Sequence, residues 1–191
     1  MKSLLIIAHP NKKSFSHILA EDYKNTRLKW WHDVHIIDLY EAERKQDYLQ
    51  LNETNRYLDD PLRSKHQEQI SRSDEIVFFF PLWWFNCPAI LQNRFDVNYT
   101  SGFAYRYISK RIRPEQLLKN KSVRVIVTTW WSARIYKIFW PIMMWLSRRF
   151  WKINYVGMKL TSWTRLCNMN YYKTSQSRIW MREKIKKLAS Q

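Results

Sequence analysis

The sequence predicts an α/β protein: a five-stranded parallel sheet, ordered 2-1-3-4-5, between two layers of helices. Three observations predict it. Short, continuous apolar runs recur along the chain, as strands buried on both faces require. Stretches with apolar residues at helical spacing separate them, and the alternation repeats five times in 191 residues. Parallel neighbours need a crossover of helix length, and right-handed crossovers place helices on both faces. In such a sheet the ligand site lies outside the carboxyl ends of strands 1, 3 and 4. The length fits a single domain over 1–191.

Residues 3–8 read as the first strand, broken by His9-Pro10-Asn11. Ser14 offers an N-cap, and Phe15, Ile18, Leu19, Tyr23 and Leu28 follow at helical spacing. Residues 34–39 form the second strand, 41–62 a long polar loop and 62–71 a helix. Residues 75–80 form the third strand, stopped by Pro81, and Pro88 opens a helix through Phe95. Residues 97–120 are loop-rich, and 123–128 form the fourth strand. Residues 137–151 carry apolar and basic residues at helical spacing, 159–167 form the fifth strand, and 175–189 a basic amphipathic helix.

Hydrophobic residues make up 46% and charged residues 26%, the globular range. No run approaches the ~18 apolar residues of a membrane span, and the N-terminus reads as a strand rather than a signal peptide. Cys87 and Cys167 lack metal-ligand spacing, so no metal and a reduced, cytoplasmic setting are expected. The net charge is +17. Its basic residues are spread over helices, with clusters at 110–113, 148–152 and 182–187 and no nucleic-acid motif beside them. A solvated face is therefore expected, with no nucleic-acid partner. The apolar and basic stretch 135–151 suits an interfacial helix, which leaves a peripheral membrane partner open.

Three strand ends carry the candidate site. After the first come His9, Ser14, Phe15 and Ser16 at a helix start, where backbone N–H groups, hydroxyls and a nearby basic group suit a phosphate. Ser14 as a mere cap and His9 as a turn histidine are the alternative. After the third come Pro81, Leu82, Trp83, Trp84 and Phe85. Three consecutive aromatics leaving a buried strand can wall a planar ring, or else plug the core or a dimer contact. After the fourth come Thr128, Thr129, Trp130 and Trp131, then Tyr136. Paired threonines can donate to ring carbonyls, although threonine is also simply a good strand residue. A phosphate loop, a flat wall and polar ring edges together describe a flavin.

These motifs resemble the flavodoxin-like NAD(P)H:quinone oxidoreductases, a family that includes modulators of drug activity and ancillary subunits of potassium-efflux systems. The resemblance runs through AHPNKKSF, SDEIVFFFPLWWFNCPAIL, SGFAYRY and LLKNKSVRVIVTT to Tyr136, in family order, and weakens after about residue 140. It implies a flavodoxin-like three-layer sandwich, a tightly bound FAD or FMN, and a homodimer. It also implies hydride transfer from NAD(P)H through the flavin to quinone-like acceptors. Carried across, His9, Ser14, Phe15 and Ser16 hold the phosphate side. Pro81, Leu82, Trp83, Trp84 and Phe85 line the isoalloxazine, and Thr128, Thr129, Trp130 and Trp131 its other edge. Tyr136 stands near the pyrimidine end as the catalytic residue, without the histidine some members place after it. Tyr105 and Tyr107 match aromatics that enter the substrate pocket from a subunit loop. The basic charge would also attract the phosphates of NAD(P)H. A regulatory subunit of a potassium-efflux transporter is the second reading.

Two departures stand out. Arg94 replaces the bulky aromatic usual before Phe95. Trp130-Trp131 replaces small residues, often Gly-Gly, whose backbone approaches the flavin. The chain has 2 Gly and 11 Trp, where average usage predicts about a dozen Gly. Trp30-Trp31 sits at a natural helix C-cap, and Trp140, Trp145 and Trp151 lie where turns are plausible. The pattern is that of a gene whose UGA codons encode Gly but are read as Trp; genuine divergence and a deliberately glycine-depleted or degenerate protein are the other accounts. A UGG codon at 30, 31, 130 or 131 excludes misreading at that position.

Overall fold

The structure is a computed structural model describing residues 1–41, 46–53, 57–84, 86–109, 111–130, 132, 151–167, 169 and 175–191. The strands are β1 Lys2–Ile7, β2 Asp33–Asp38, β3 Glu75–Pro81, β4 Tyr105–Arg106, β5 Glu115–Gln116, β6 Ser122–Thr128 and β7 Lys159–Leu166. The helices are α1 Phe15–Lys29, α2 Pro61–Arg72, α3 Ala89–Asn98, α4 Trp151–Tyr155 and α5 Ser175–Ala189. The main sheet runs β2-β1-β3-β6-β7 with every neighbouring pair parallel. Counting only its own strands, that is the expected 2-1-3-4-5. The loop-rich stretch adds a two-residue antiparallel ribbon, β4–β5, that periodicity could not show. Of the helix expected over 137–151, residues 137–150 lie outside those described, as do Phe85, Trp131 and Tyr136.

Side-chain alternation explains the sandwich. On one face of β1, β3 and β6, Leu4, Ile6, Phe78, Phe80, Val123 and Val125 pack with Ile70 of α2 and Leu91 and Phe95 of α3. On the other, Leu5, Ile7, Val77, Phe79 and Ile126 pack with Leu19 and Tyr23 of α1 and Met181 and Ile185 of α5. Phe78, Phe79 and Phe80 are all fully buried, which only a strand covered on both sides achieves. Each contributes roughly 1.5–3 kcal/mol.

One polar cluster sits at the amino ends of the strands. Glu75 is 0% exposed. It accepts hydrogen bonds from Ser3 Oγ at 2.9 Å, Tyr23 OH at 3.0 Å and Arg27 Nη2 at 2.9 Å, and Arg124 Nε stands in an ion pair with it at 2.9 Å. Burial beside this carboxylate pushes the Tyr23 phenol far up. Joining β1, α1, β3 and β6, the cluster fixes their register at the end opposite the candidate site.

Candidate functional site

The carboxyl ends of β1, β3 and β6 bring the predicted loops together. Ser14 caps α1, its Oγ accepting the His17 N–H at 3.4 Å and bonding His17 Nδ1 at 2.8 Å. His17 Nε2 reaches Asp38 Oδ2 at 2.7 Å, fastening the first turn of α1 to the end of β2. Phe15 and Ser16 open the helix, so their N–H groups have no acceptor within it. The Asn11 N–H donates to His9 Nδ1 at 3.0 Å, which leaves the neutral ring's proton on Nε2, a donor suited to an anionic oxygen. Burial first, then neighbouring His17, lowers the pKa of His9. Lys12, paired with Glu41, adds positive charge nearby.

From the buried Phe80 the chain passes through Pro81, in register with Thr128. The Leu82 N–H donates to Thr128 O at 2.9 Å. Trp83 and Asn86 exchange backbone hydrogen bonds of 3.0 and 2.8 Å across a tight turn. Trp84 occupies that turn at φ +49° and is 97% exposed. An indole held in the left-handed region and presented to solvent is strained, and such strain gathers at ligand sites. The His9 and Trp83 ring centroids are 6.2 Å apart.

The β6 end closes the third side. Thr128 and Thr129 are buried, and Ser16 Oγ lies 3.5 Å from Thr128 Oγ1. The Thr129 N–H donates to Leu166 O at 2.9 Å, pinning the exit to β7. Trp130 is 69% exposed. Tyr105 and Tyr107 lie elsewhere. Their centroids are 5.4 Å apart, Tyr105 packs on Tyr155 at 5.3 Å, and Tyr105 belongs to β4 while Tyr107 follows it.

These residues fit a flavin at its phosphate end, with helix N–H groups, Ser16 and His9 converging. Exposed aromatics at Trp83 and Trp84 fit a ring face. Trp130 is the misfit, an indole where backbone should approach. Sequence reasoning missed His17 and Asp38, although a histidine three residues after a capping serine was a legible signal.

The family of flavodoxin-like fold matches residues 1–188, and the chain belongs to it. Its relatives include NAD(P)H:quinone oxidoreductases. The chain is 31% identical over 144 residues to an "uncharacterized NAD(P)H oxidoreductase" of Haemophilus influenzae, covering 73% of this chain and 69% of that one. It is 27% identical over 172 residues to NAD(P)H dehydrogenase [quinone] 1 of Cavia porcellus, covering 74% of this chain but 61% of that protein's length. Among solved structures, Smu.1420 of Streptococcus mutans is 26% identical with a TM-score of 0.85, covering 100% of this chain and 99% of that one. An FMN-dependent NADH-azoreductase of Bacillus anthracis, solved with FMN, shares the fold at 17% identity and a TM-score of 0.76, covering 99% and 97%. The reading as a potassium-efflux subunit gains no support from these relatives. No helix of the described residues is long and apolar enough to cross a membrane.

Proposed function

We propose that the protein is a flavin-dependent NAD(P)H oxidoreductase acting on quinone-like acceptors, cytoplasmic and homodimeric, built as a single domain. The observation that carries this reading is the convergence of three strand-end loops, through Ser16 with Thr128 and His9 with Trp83. The oxidoreductase names of the relatives support it.

A bound flavin supplies the hydride-carrying chemistry, and the protein supplies position and electrostatics. The α1 N-terminus, Ser14, Ser16 and His9 hold the phosphate, with Phe15 as the first helical residue. Pro81, Leu82, Trp83, Trp84 and Phe85 form the ring wall. Thr128 and Thr129 fix the facing strand end, and Tyr136 steadies charge at the ring edge. Tyr105 and Tyr107 enter the partner's pocket across the dimer, and their flat rings take nicotinamide and quinone in turn. FMN is the first flavin to test, because the azoreductase was solved with it, and FAD the second.

The experiment is NADH or NADPH consumption with menadione, with and without added flavin, on the chain as written and on its Trp130→Gly, Trp131→Gly variant. Flavin-dependent turnover, faster in the variant, is expected. Folded protein that retains no flavin and oxidises no NAD(P)H in either form overturns the reading.

A further inference from the structure

A second cavity lies away from the strand ends. Its volume is about 330 Å³, within the range of small-molecule sites. Ile37 and Leu39 at the β2 exit, Ala89 and Ile90 of α3, and Tyr48 give it an apolar lining, and its charged residues are buried Arg94 of α3 and exposed Asp47.

Arg94 is 4% exposed, yet no carboxylate pairs with it among the described residues. Its Nη1 packs on His66, 2.7 Å from Nε2, while its Nε and Nη2 have no hydrogen-bond partner among the described residues. Burial pushes the Arg94 pKa down to about 10, so the guanidinium still carries its charge at neutral pH. His66, pushed down to about 4 by burial and then by Arg94, is neutral and adds no second positive charge. Several neighbouring polar groups are already committed, although the Tyr99 hydroxyl beside Arg94 has no partner among the described residues. Asn93 Nδ2 donates to Gln46 O and Asp47 O at 3.1 and 3.2 Å. The Gln46 amide reaches Asp60 and Asn98 at 3.2 and 3.0 Å. Asp60 caps α2 through the Leu62 N–H at 2.9 Å.

A buried, unpaired cation is costly, and removing its partner leaves the whole desolvation penalty uncompensated. The Nε and Nη2 pair is a fork matched to one carboxylate. We propose that Arg94 and the cavity it lines bind a small carboxylate with an apolar, ring-sized body. The carboxylate pairs with the guanidinium, whose Nε and Nη2 are closed to solvent as the side chain stands and turn toward the cavity to meet it, and the body lies against Ile37, Leu39 and Ile90. The apolar lining favours this over inorganic phosphate, which has no apolar part to bury. The site is independent of the flavin reading.

The probe is sodium benzoate titrated into the full chain, followed by thermal shift and ligand-observed NMR, with benzyl alcohol and inorganic phosphate in parallel. Benzoate should bind saturably and raise Tm, and the two controls should not. Arg94→Met, its fold checked by circular dichroism, should weaken benzoate roughly tenfold or more, as loss of charge-assisted hydrogen bonds does. Ala89→Phe keeps the guanidinium, fills the cavity from its exposed rim and should weaken benzoate likewise, so the test survives if Arg94→Met does not fold. Undiminished benzoate binding in either folded variant, preference for phosphate, or no binding to the parent chain overturns the proposal.

Discussion

Ser16 Oγ and Thr128 Oγ1 lie 3.5 Å apart across 112 residues of sequence. The first turn of α1 and the end of β6 therefore meet at one point, where a phosphate loop and a ring edge must meet if one ligand spans both. Ser16→Ala removes a donor on the phosphate side while leaving the Ser14 cap in place. Flavin affinity should fall roughly tenfold or more, with Tm shifted little, as read by fluorescence titration and thermal melting on the same samples.

Glu75 holds the other end of the sheet. Glu75→Gln keeps the shape but leaves Arg27 and Arg124 beside a neutral amide. Breaking a buried ion pair from one side costs roughly 3–5 kcal/mol, and urea denaturation should show a loss of that order. Weakened flavin binding without a loss of stability would contradict a purely structural role for the cluster.

His66 makes stability pH-dependent. An unfolded histidine titrates near ~6.5, whereas burial, and then Arg94, pushes folded His66 down to about 4. Between those values the unfolded chain takes the proton and the folded chain does not. This contribution is therefore fully present above about 6.5 and is lost as pH falls towards 4, at up to roughly 3 kcal/mol. His66→Leu should flatten that part of the stability–pH curve, measured by denaturant midpoints from neutral pH downward. An unchanged slope would contradict it.

Trp31 carries the glycine question. It sits at φ +60°, 97% exposed, just after the Trp30 C-cap. Its N–H bonds Leu28 O at 3.1 Å and the His32 N–H bonds Arg27 O at 3.2 Å, the Schellman pattern whose left-handed residue is usually Gly. Trp31→Gly should stabilise the chain by about 1 kcal/mol. Trp180→Gly, exposed inside α5, should cost about as much. Equal effects at the two positions would contradict the idea that Trp31 occupies a glycine site.

The sheet order was legible because apolar runs with helix-length spacing leave few topologies, and each residue from Ile76 to Phe80 is buried as that pattern requires. The Ser14 cap and the C-cap at Trp30 were legible because caps have local chemistry. The β4–β5 ribbon was not, since two residues show no period. Glu75 read only as the first residue of the third strand, because only the fold brings Arg27 and Arg124 to it. Arg94 was visible as a departure, but its burial against His66 depends on how α2 and α3 pack. Phe85, Trp131 and Tyr136 stand on sequence alone.

The most direct test of the strand-end site is a flavin titration of the chain carrying glycine at 130 and 131, read by visible absorbance and by bleaching with NAD(P)H. Stoichiometric flavin that NAD(P)H reduces is expected, with weaker binding by the chain as written. A folded variant that binds neither FMN nor FAD would contradict it.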